Sequence, residues 1–306
     1  MYKRVLFEIS GGCNAMCRWC VSGKINRGGV KTSSRMIPVN EFKAAIEYLI
    51  DNNIINDKNL KVSLFNWGEP FLHPKFHDII EVLNQKQIMF GLSTNASITR
   101  LPYDKDEFKN LKHIRFSMPG FSQESYDRIH GFDFEEIKEN IVCMTEGFKK
   151  AGFHRTAKVE FLAYQFNLGE LEDAKAFFES HNIQVNASCA YFNGSKMMAS
   201  YLKSTMPYED LKKASEELLL FYFEKTLKQR PVDYRCPQYD SLVIDEFCNV
   251  LTCCCLDKDV EGYSIGNLFD MNYEQIREKK QSSPACVECR TLGVDYLGHN
   301  PLIISS

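Results

Sequence analysis

A chain of 306 residues, 44% hydrophobic and 25% charged, is long enough for one barrel-sized domain, or for a domain of about 200 residues with a smaller one. Its formal net charge of −3 leaves no electrostatic footprint for nucleic acid, and no apolar run approaches the roughly 18 residues of a membrane span. Glu8 and Ser10 make the N-terminus too polar for a signal peptide, so the expected setting is the cytoplasm, with neither nucleic acid nor membrane as partner.

Strand-like and helix-like segments alternate from the start. Residues 5–10 (VLFEIS) form a short β-rich run. Residues 38–52 follow, with Pro38 near the start and Phe42, Ala45, Ile46, Leu49 and Ile50 at helical spacing. Residues 61–66 (KVSLFN) read as a strand, and 74–86 as a helix opened by proline. Further strands are expected at 88–95, 113–118, 158–164 and 183–190, with helices at about 122–130, 134–151 and 170–181. Strands that alternate with helices imply βαβ units and a parallel sheet. In such folds the ligand groups gather at the carboxyl ends of the strands.

After about residue 200 the pattern changes. Residues 207–228 read as one long amphipathic helix. From Tyr234 the chain is rich in cysteine, with short β-like runs and few helix signals. The expected division is 1–205, a helical bridge at 206–233, and a small domain at 234–306.

Twelve cysteines are many for such a chain. Cytosolic disulfides are rare, so metal ligands and catalytic thiols are the readings to weigh. Cys13, Cys17 and Cys20 stand as C-x3-C-x2-C just past the first strand, where a βα loop carries function. Three thiolates on one loop can ligate three irons of a cubane and leave the fourth open, much as catalytic metal sites keep a free position. A structural zinc loop is the competing reading, although zinc favours C-x2-C pairs.

This spacing resembles the signature of the radical S-adenosylmethionine (radical SAM) superfamily. The resemblance implies an α/β fold, a partial (βα)6 TIM-like barrel. It also implies a [4Fe–4S] cluster on Cys13, Cys17 and Cys20, whose open iron binds SAM and cleaves it reductively to a 5′-deoxyadenosyl radical. Trp19 matches the aromatic that packs near adenine in that family. Asn66-Trp67-Gly68-Glu69-Pro70 resembles the GGE-type motif at the SAM amino group, which makes Gly68, Glu69 and Pro70 cofactor-binding candidates. Ser93-Thr94-Asn95 and Ser117 resemble later cofactor contacts, through Ser93, Asn95 and Ser117. Many relatives have an arginine for the SAM carboxylate where this chain has His130. Arg128 stands two residues away, and the carboxylate partner stays open between the two.

The C-terminal part resembles the extension called SPASM, or its shorter form Twitch. Aligned on that pattern, Cys236, Cys254, Cys286 and Cys289 are the expected ligands of one auxiliary [4Fe–4S] cluster. Cys253 and Cys255 flank Cys254 and could exchange with it. A four-cysteine zinc site is the rival. Cys143, at helical spacing, is expected in the core. Cys248, where the family usually has glycine, and Cys189 are candidate hydrogen-atom donors to a substrate radical.

The reaction class follows from the resemblance, and the substrate does not. The expected substrate is a small polar molecule, a sugar or aminocyclitol that is dehydrogenated or epimerised. The alternative is a ribosomal peptide, epimerised or crosslinked. With the first strand at residue 5, no room is expected for the additional recognition domain that leader-dependent maturases often carry. The expected electron donor is a flavodoxin or ferredoxin.

Overall fold

The computed structural model describes residues 1–28, 33–55 and 60–300. Residues 301–306 of the expected C-terminal segment therefore lie outside the described ones. Six parallel strands appear where they were expected: β1 (Arg4–Phe7), β2 (Lys61–Ser63), β3 (Met89–Thr94), β4 (Leu111–Met118), β5 (Ala157–Ala163) and β6 (Ile183–Cys189). Between them run α1 (Val21–Arg27), α2 (Val39–Asp51), α3 (Phe76–Gln85), α4 (Gln123–Ile129), α5 (Phe134–Lys150) and α6 (Leu171–Ser180).

The strands have two chemically different faces. On β4, Ile114, Phe116 and Met118 are buried, while His113, Arg115 and Ser117 alternate with them and are half-buried. On β5, Val159, Phe161 and Ala163 alternate in the same way with Lys158, Glu160 and Leu162. A period of two puts each set on one face. The apolar set packs under the helices, and Phe7 of β1 meets Phe42 of α2 edge to face at 5.0 Å. Truncating a ring such as Phe42, wholly buried, to alanine costs about 3–5 kcal/mol.

One continuous sheet runs β6-β5-β4-β3-β2-β1-β7-β8-β9, adding β7 (Ser241–Ile244), β8 (Asn249–Leu251) and β9 (Ser264–Asn267). Strand β7 lies parallel to β1, with Val5 opposite Leu242, and β8 and β9 continue antiparallel. The cysteine-rich segment thus extends the sheet of the barrel.

Two expectations are corrected here. The single helix expected at 207–228 is two, α8 (Tyr208–Glu217) and α9 (Leu220–Lys228), preceded by α7 (Ser195–Leu202). Leu218 is extended, with φ −93° and ψ 149°. Gln165 takes over the freed carbonyls: its Nε2 donates to Ser215 and Leu218 at 2.7 Å, and its backbone N–H to Glu217 at 2.9 Å. Partners of this kind let a helix end inside good helix-forming sequence. Helices are also more numerous after residue 234 than expected: α10 (Tyr273–Ser282), α11 (Pro284–Leu292) and α12 (Val294–His299). A capping box between Asn272 and Gln275 starts α10, and Gly293, left-handed at φ 80°, ends α11.

Candidate active site

The loop after β1 carries Cys13 and Cys17, and Cys20 is the residue that caps α1. Asn26 of α1 folds the loop back on itself, donating to the carbonyls of Cys13 at 2.8 Å and Ala15 at 2.6 Å. From the neighbouring strand end, Glu69 N–H donates to Gly12 at 2.8 Å, and Ser22 donates to Trp67 at 2.8 Å. Gly68 allows this contact. A Cβ there would stand 1.7 Å from the carbonyl oxygen of Ser10, which no side chain tolerates.

The three sulfurs face a cavity of about 400 Å³ at the carboxyl end of the sheet. Its walls include Trp19, Gly68, Glu69, Ser93, Thr94, Asn95 and Ser117. The ends of four strands therefore bring most of the expected cofactor residues together. Pro70 begins the short helical turn behind Glu69 and does not line the cavity.

Glu69 holds two of these strand ends in register. One carboxylate oxygen accepts from Phe71 N–H at 3.1 Å and Thr94 hydroxyl at 2.8 Å, and the other from Asn95 N–H at 2.8 Å. Burial raises its pKa to about 7, against the pull of those three donors. Trp19 donates its indole N–H to Glu217 at 2.8 Å and meets Phe192 edge to face at 5.4 Å.

His130 and Arg128 lie outside the cavity. His130 is buried against Tyr126 and Phe132, and its Nδ1 has no partner. Burial lowers its pKa to about 4, so near neutral pH its ring carries no charge. Arg128 lies over the ring of Phe166 at 4.4 Å and faces Glu124 at 3.8 Å. Among the described residues, the cationic side chain that lines the cavity is Arg115, which the motifs did not single out.

A second, small cavity collects Cys236, Cys253, Cys286 and Cys289, with Lys280 and Asp295. Cys254, the expected member, is elsewhere: its sulfur lies 3.7 Å from that of Cys255. Three consecutive cysteines leave β8 at a turn, and the turn directs Cys253 inward. Lys258, a few residues on, reaches back to the first loop. It donates to the Gly11 carbonyl at 3.2 Å and stands 3.7 Å from Glu8. Glu8 in turn accepts from Trp67 N–H at 3.0 Å, and burial raises its pKa to about 7.

The other cysteines are scattered. Cys248 is buried at a left-handed position, φ 61°, in the turn between β7 and β8, and it packs in the main core. Cys189 lines a minor pocket with Tyr191 and Leu297. Neither lines the barrel-mouth cavity. Cys143, expected in the core, is exposed. It sits off the buried stripe of Ile137, Ile141, Met144 and Phe148.

Among the described residues, no three His, Cys, Asp or Glu side chains are grouped as a single metal ion requires. Zinc draws its sulfurs to about 2.3 Å from one point. Cysteine-only sets suit iron–sulfur clusters, and the first loop fits one by its chemistry. Asn95 and Asn193 aim amide N–H groups at the sulfurs of Cys13 and Cys20 from 3.9 and 3.8 Å, the kind of contact that tunes a ligating thiolate. Burial first, then the neighbouring carboxylate of Glu69, pushes Cys13 up to about 12. A thiolate there needs a positive partner.

The description "Radical SAM superfamily" matches residues 7–177, more than half of the chain. The chain belongs to the radical SAM superfamily, whose members are enzymes that use a [4Fe–4S] cluster and SAM. No curated protein matches it. Among solved structures it is similar to SuiB of Streptococcus suis bound to its precursor peptide SuiA. There the identity is 14% and the TM-score 0.59, covering 94% of this chain and 69% of that one. It is also similar to anSMEcpe with bound AdoMet, at 19% identity and TM-score 0.55, covering 91% and 82%. A third structure, anSMEcpe with AdoMet and the Cp18Cys peptide, matches at 17% identity and TM-score 0.52, covering 96% and 87%. At these identities the likeness is one of fold.

Proposed function

We propose that this enzyme holds a [4Fe–4S] cluster on Cys13, Cys17 and Cys20, cleaves SAM reductively, and takes a hydrogen atom from a small polar substrate of the sugar or aminocyclitol class. The observation that carries the reading is the shared cavity: three thiols of one loop face the ends of the strands that bear Gly68, Asn95 and Ser117. When bound, the cluster and SAM supply the electron and the 5′-deoxyadenosyl radical. The chain's own residues do the rest. Asn95 and Asn193 steady the sulfurs, Gly68 leaves room at its strand end, and Trp19, pinned by Glu217, closes one wall.

In this reading Cys236, Cys253, Cys286 and Cys289 hold one auxiliary [4Fe–4S] cluster in a Twitch-like segment, with Cys253 in place of Cys254. Such a cluster accepts or relays an electron, or anchors the fold. The setting is the cytoplasm, with a flavodoxin or ferredoxin as donor. The decisive experiment is anaerobic incubation of the reconstituted, dithionite-reduced protein with SAM. Formation of 5′-deoxyadenosine and methionine supports the reading, and absence of both defeats it.

A peptide substrate is the second reading. The fold shared with SuiB and anSMEcpe, each solved with a peptide bound, favours it. Supplying sugar derivatives and short peptides to the same assay, and following which one accelerates 5′-deoxyadenosine formation, separates the two.

A further inference from the structure

The inner face of the sheet carries charge where the motifs are silent. Strand register sets the layers: Ser93 lies beside Arg115, and Arg115 beside Lys158, while the next layer pairs Ser117 with Glu160 and Glu160 with Asn186. Arg115 is therefore one layer deeper than Ser117, further from the strand ends that carry the cysteine loop. Below it lies His113, whose ring fills the space that a Cβ at Gly91 would need, 2.2 Å away. Burial first, then Arg115, Lys61, Lys158 and Lys112, lowers the pKa of His113 to about 4. Of these cations, Arg115 is the one that lines the cavity.

Neither carboxylate of the cavity, Glu69 or Glu160, pairs with Arg115. Glu69 is occupied by its three protein donors. Glu160 accepts from Asn186 at 3.2 Å. Arg115 itself has a buried Nε with no hydrogen-bond partner, and its guanidinium is held 5.2 Å from the centre of the Phe65 ring. A desolvated donor left without an acceptor is unfavourable. A planar guanidinium is built to take a carboxylate or phosphate with two parallel hydrogen bonds, and an aromatic face steadies it in that posture.

We infer that Arg115 is a specificity-determining residue that binds an anionic oxygen group, carboxylate or phosphate, of a small-molecule substrate inside the barrel. Glu160 and Asn186, in the layer above, then take hydroxyl groups of the same molecule. This rests on the proposed reading of the cavity and narrows its substrate from any small polar molecule to an acidic one, such as a sugar acid or sugar phosphate.

The test titrates inorganic phosphate, D-glucuronate and neutral D-glucose into reconstituted protein by calorimetry, with and without SAM. Wild type, Arg115→Met, Arg115→Lys and the exposed control Arg235→Met are compared. The inference expects phosphate or glucuronate to bind at least tenfold tighter than glucose with SAM present, and the stronger anion identifies the group. Arg115→Met loses at least tenfold in that affinity, Arg115→Lys keeps part of it, and Arg235→Met is unchanged. Equal binding of glucose and the anions overturns the inference, as does anion binding that survives in both Arg115 variants. Displacement of the anion by SAM also overturns it, because Arg115 then serves the SAM carboxylate. Formation of 5′-deoxyadenosine in the absence of any anion is scored separately, so failure of the SAM reading is not confused with failure of this one.

Discussion

Trp19 and Glu217, 198 positions apart, are joined by an indole N–H to carboxylate hydrogen bond of 2.8 Å. The same carboxylate stands 3.3 Å from Arg18. One residue at the end of α8 thus secures two residues of the cysteine loop. Glu217→Ala leaves the buried indole donor unsatisfied, at a cost of about 1–3 kcal/mol. Thermal unfolding of the reconstituted variant is expected to fall by a few degrees. An unchanged midpoint would show that the contact carries no weight.

Gly68→Ala sets a methyl group against the Ser10 carbonyl at 1.7 Å, so one of the two strand ends must move. Equilibrium binding of SAM to the reconstituted variant is expected to weaken at least tenfold. Retained affinity would remove this close approach from the account of the site.

Cys253→Ser is expected to lower the iron content of reconstituted protein by about four atoms per chain, a whole cubane. Cys254→Ser leaves it unchanged, because the Cys254 sulfur lies against Cys255 rather than in the second cavity. The reverse pattern of iron counts would return the ligand role to Cys254.

Glu8 gives stability a particular pH dependence. Its folded pKa is raised from 4.5 to about 7, chiefly by burial, so the native state holds a proton that the unfolded chain has released. Stability from this residue is therefore present below about pH 4.5 and declines as pH rises through about 7. The loss is on the order of 3 kcal/mol, at about 1.4 kcal/mol per pKa unit. Glu8→Gln keeps the oxygen that accepts from Trp67 and removes the titration. Urea unfolding from pH 5 to 8 is expected to show a flatter profile for the variant, with greater stability than wild type at pH 8. Parallel profiles for the two proteins would exclude Glu8 as the source.

How much of this was legible in the sequence depended on how local the information is. Cys13, Cys17 and Cys20 sit within one loop, so their spacing alone brought them to notice. All six barrel strands could be found from their β-rich runs. Arg115 was within reach too, since His113, Arg115 and Ser117 alternate with Ile114, Phe116 and Met118, but periodicity does not say which polar face encloses a cavity. The break at Leu218 was out of reach. Glu216 to Phe221 reads as uninterrupted helix, and it is Gln165, far away in the chain, that ends it. Consecutive Cys253, Cys254 and Cys255 share nearly the same local sequence, so only the path of the chain leaving β8 separates them.

Strand β1 has partners on both sides, β2 and β7. On the ribosome Arg4 emerges before Ser241, its neighbour across the sheet, which follows every strand and helix between them. The strand that launches the cysteine loop is thus made well before it is enclosed. Contacts so distant in sequence close slowly. Until they do, the first loop lacks the strand that flanks its base and the Lys258 contact that braces Gly11, so its final shape is set by contacts that only the far end of the sheet can supply.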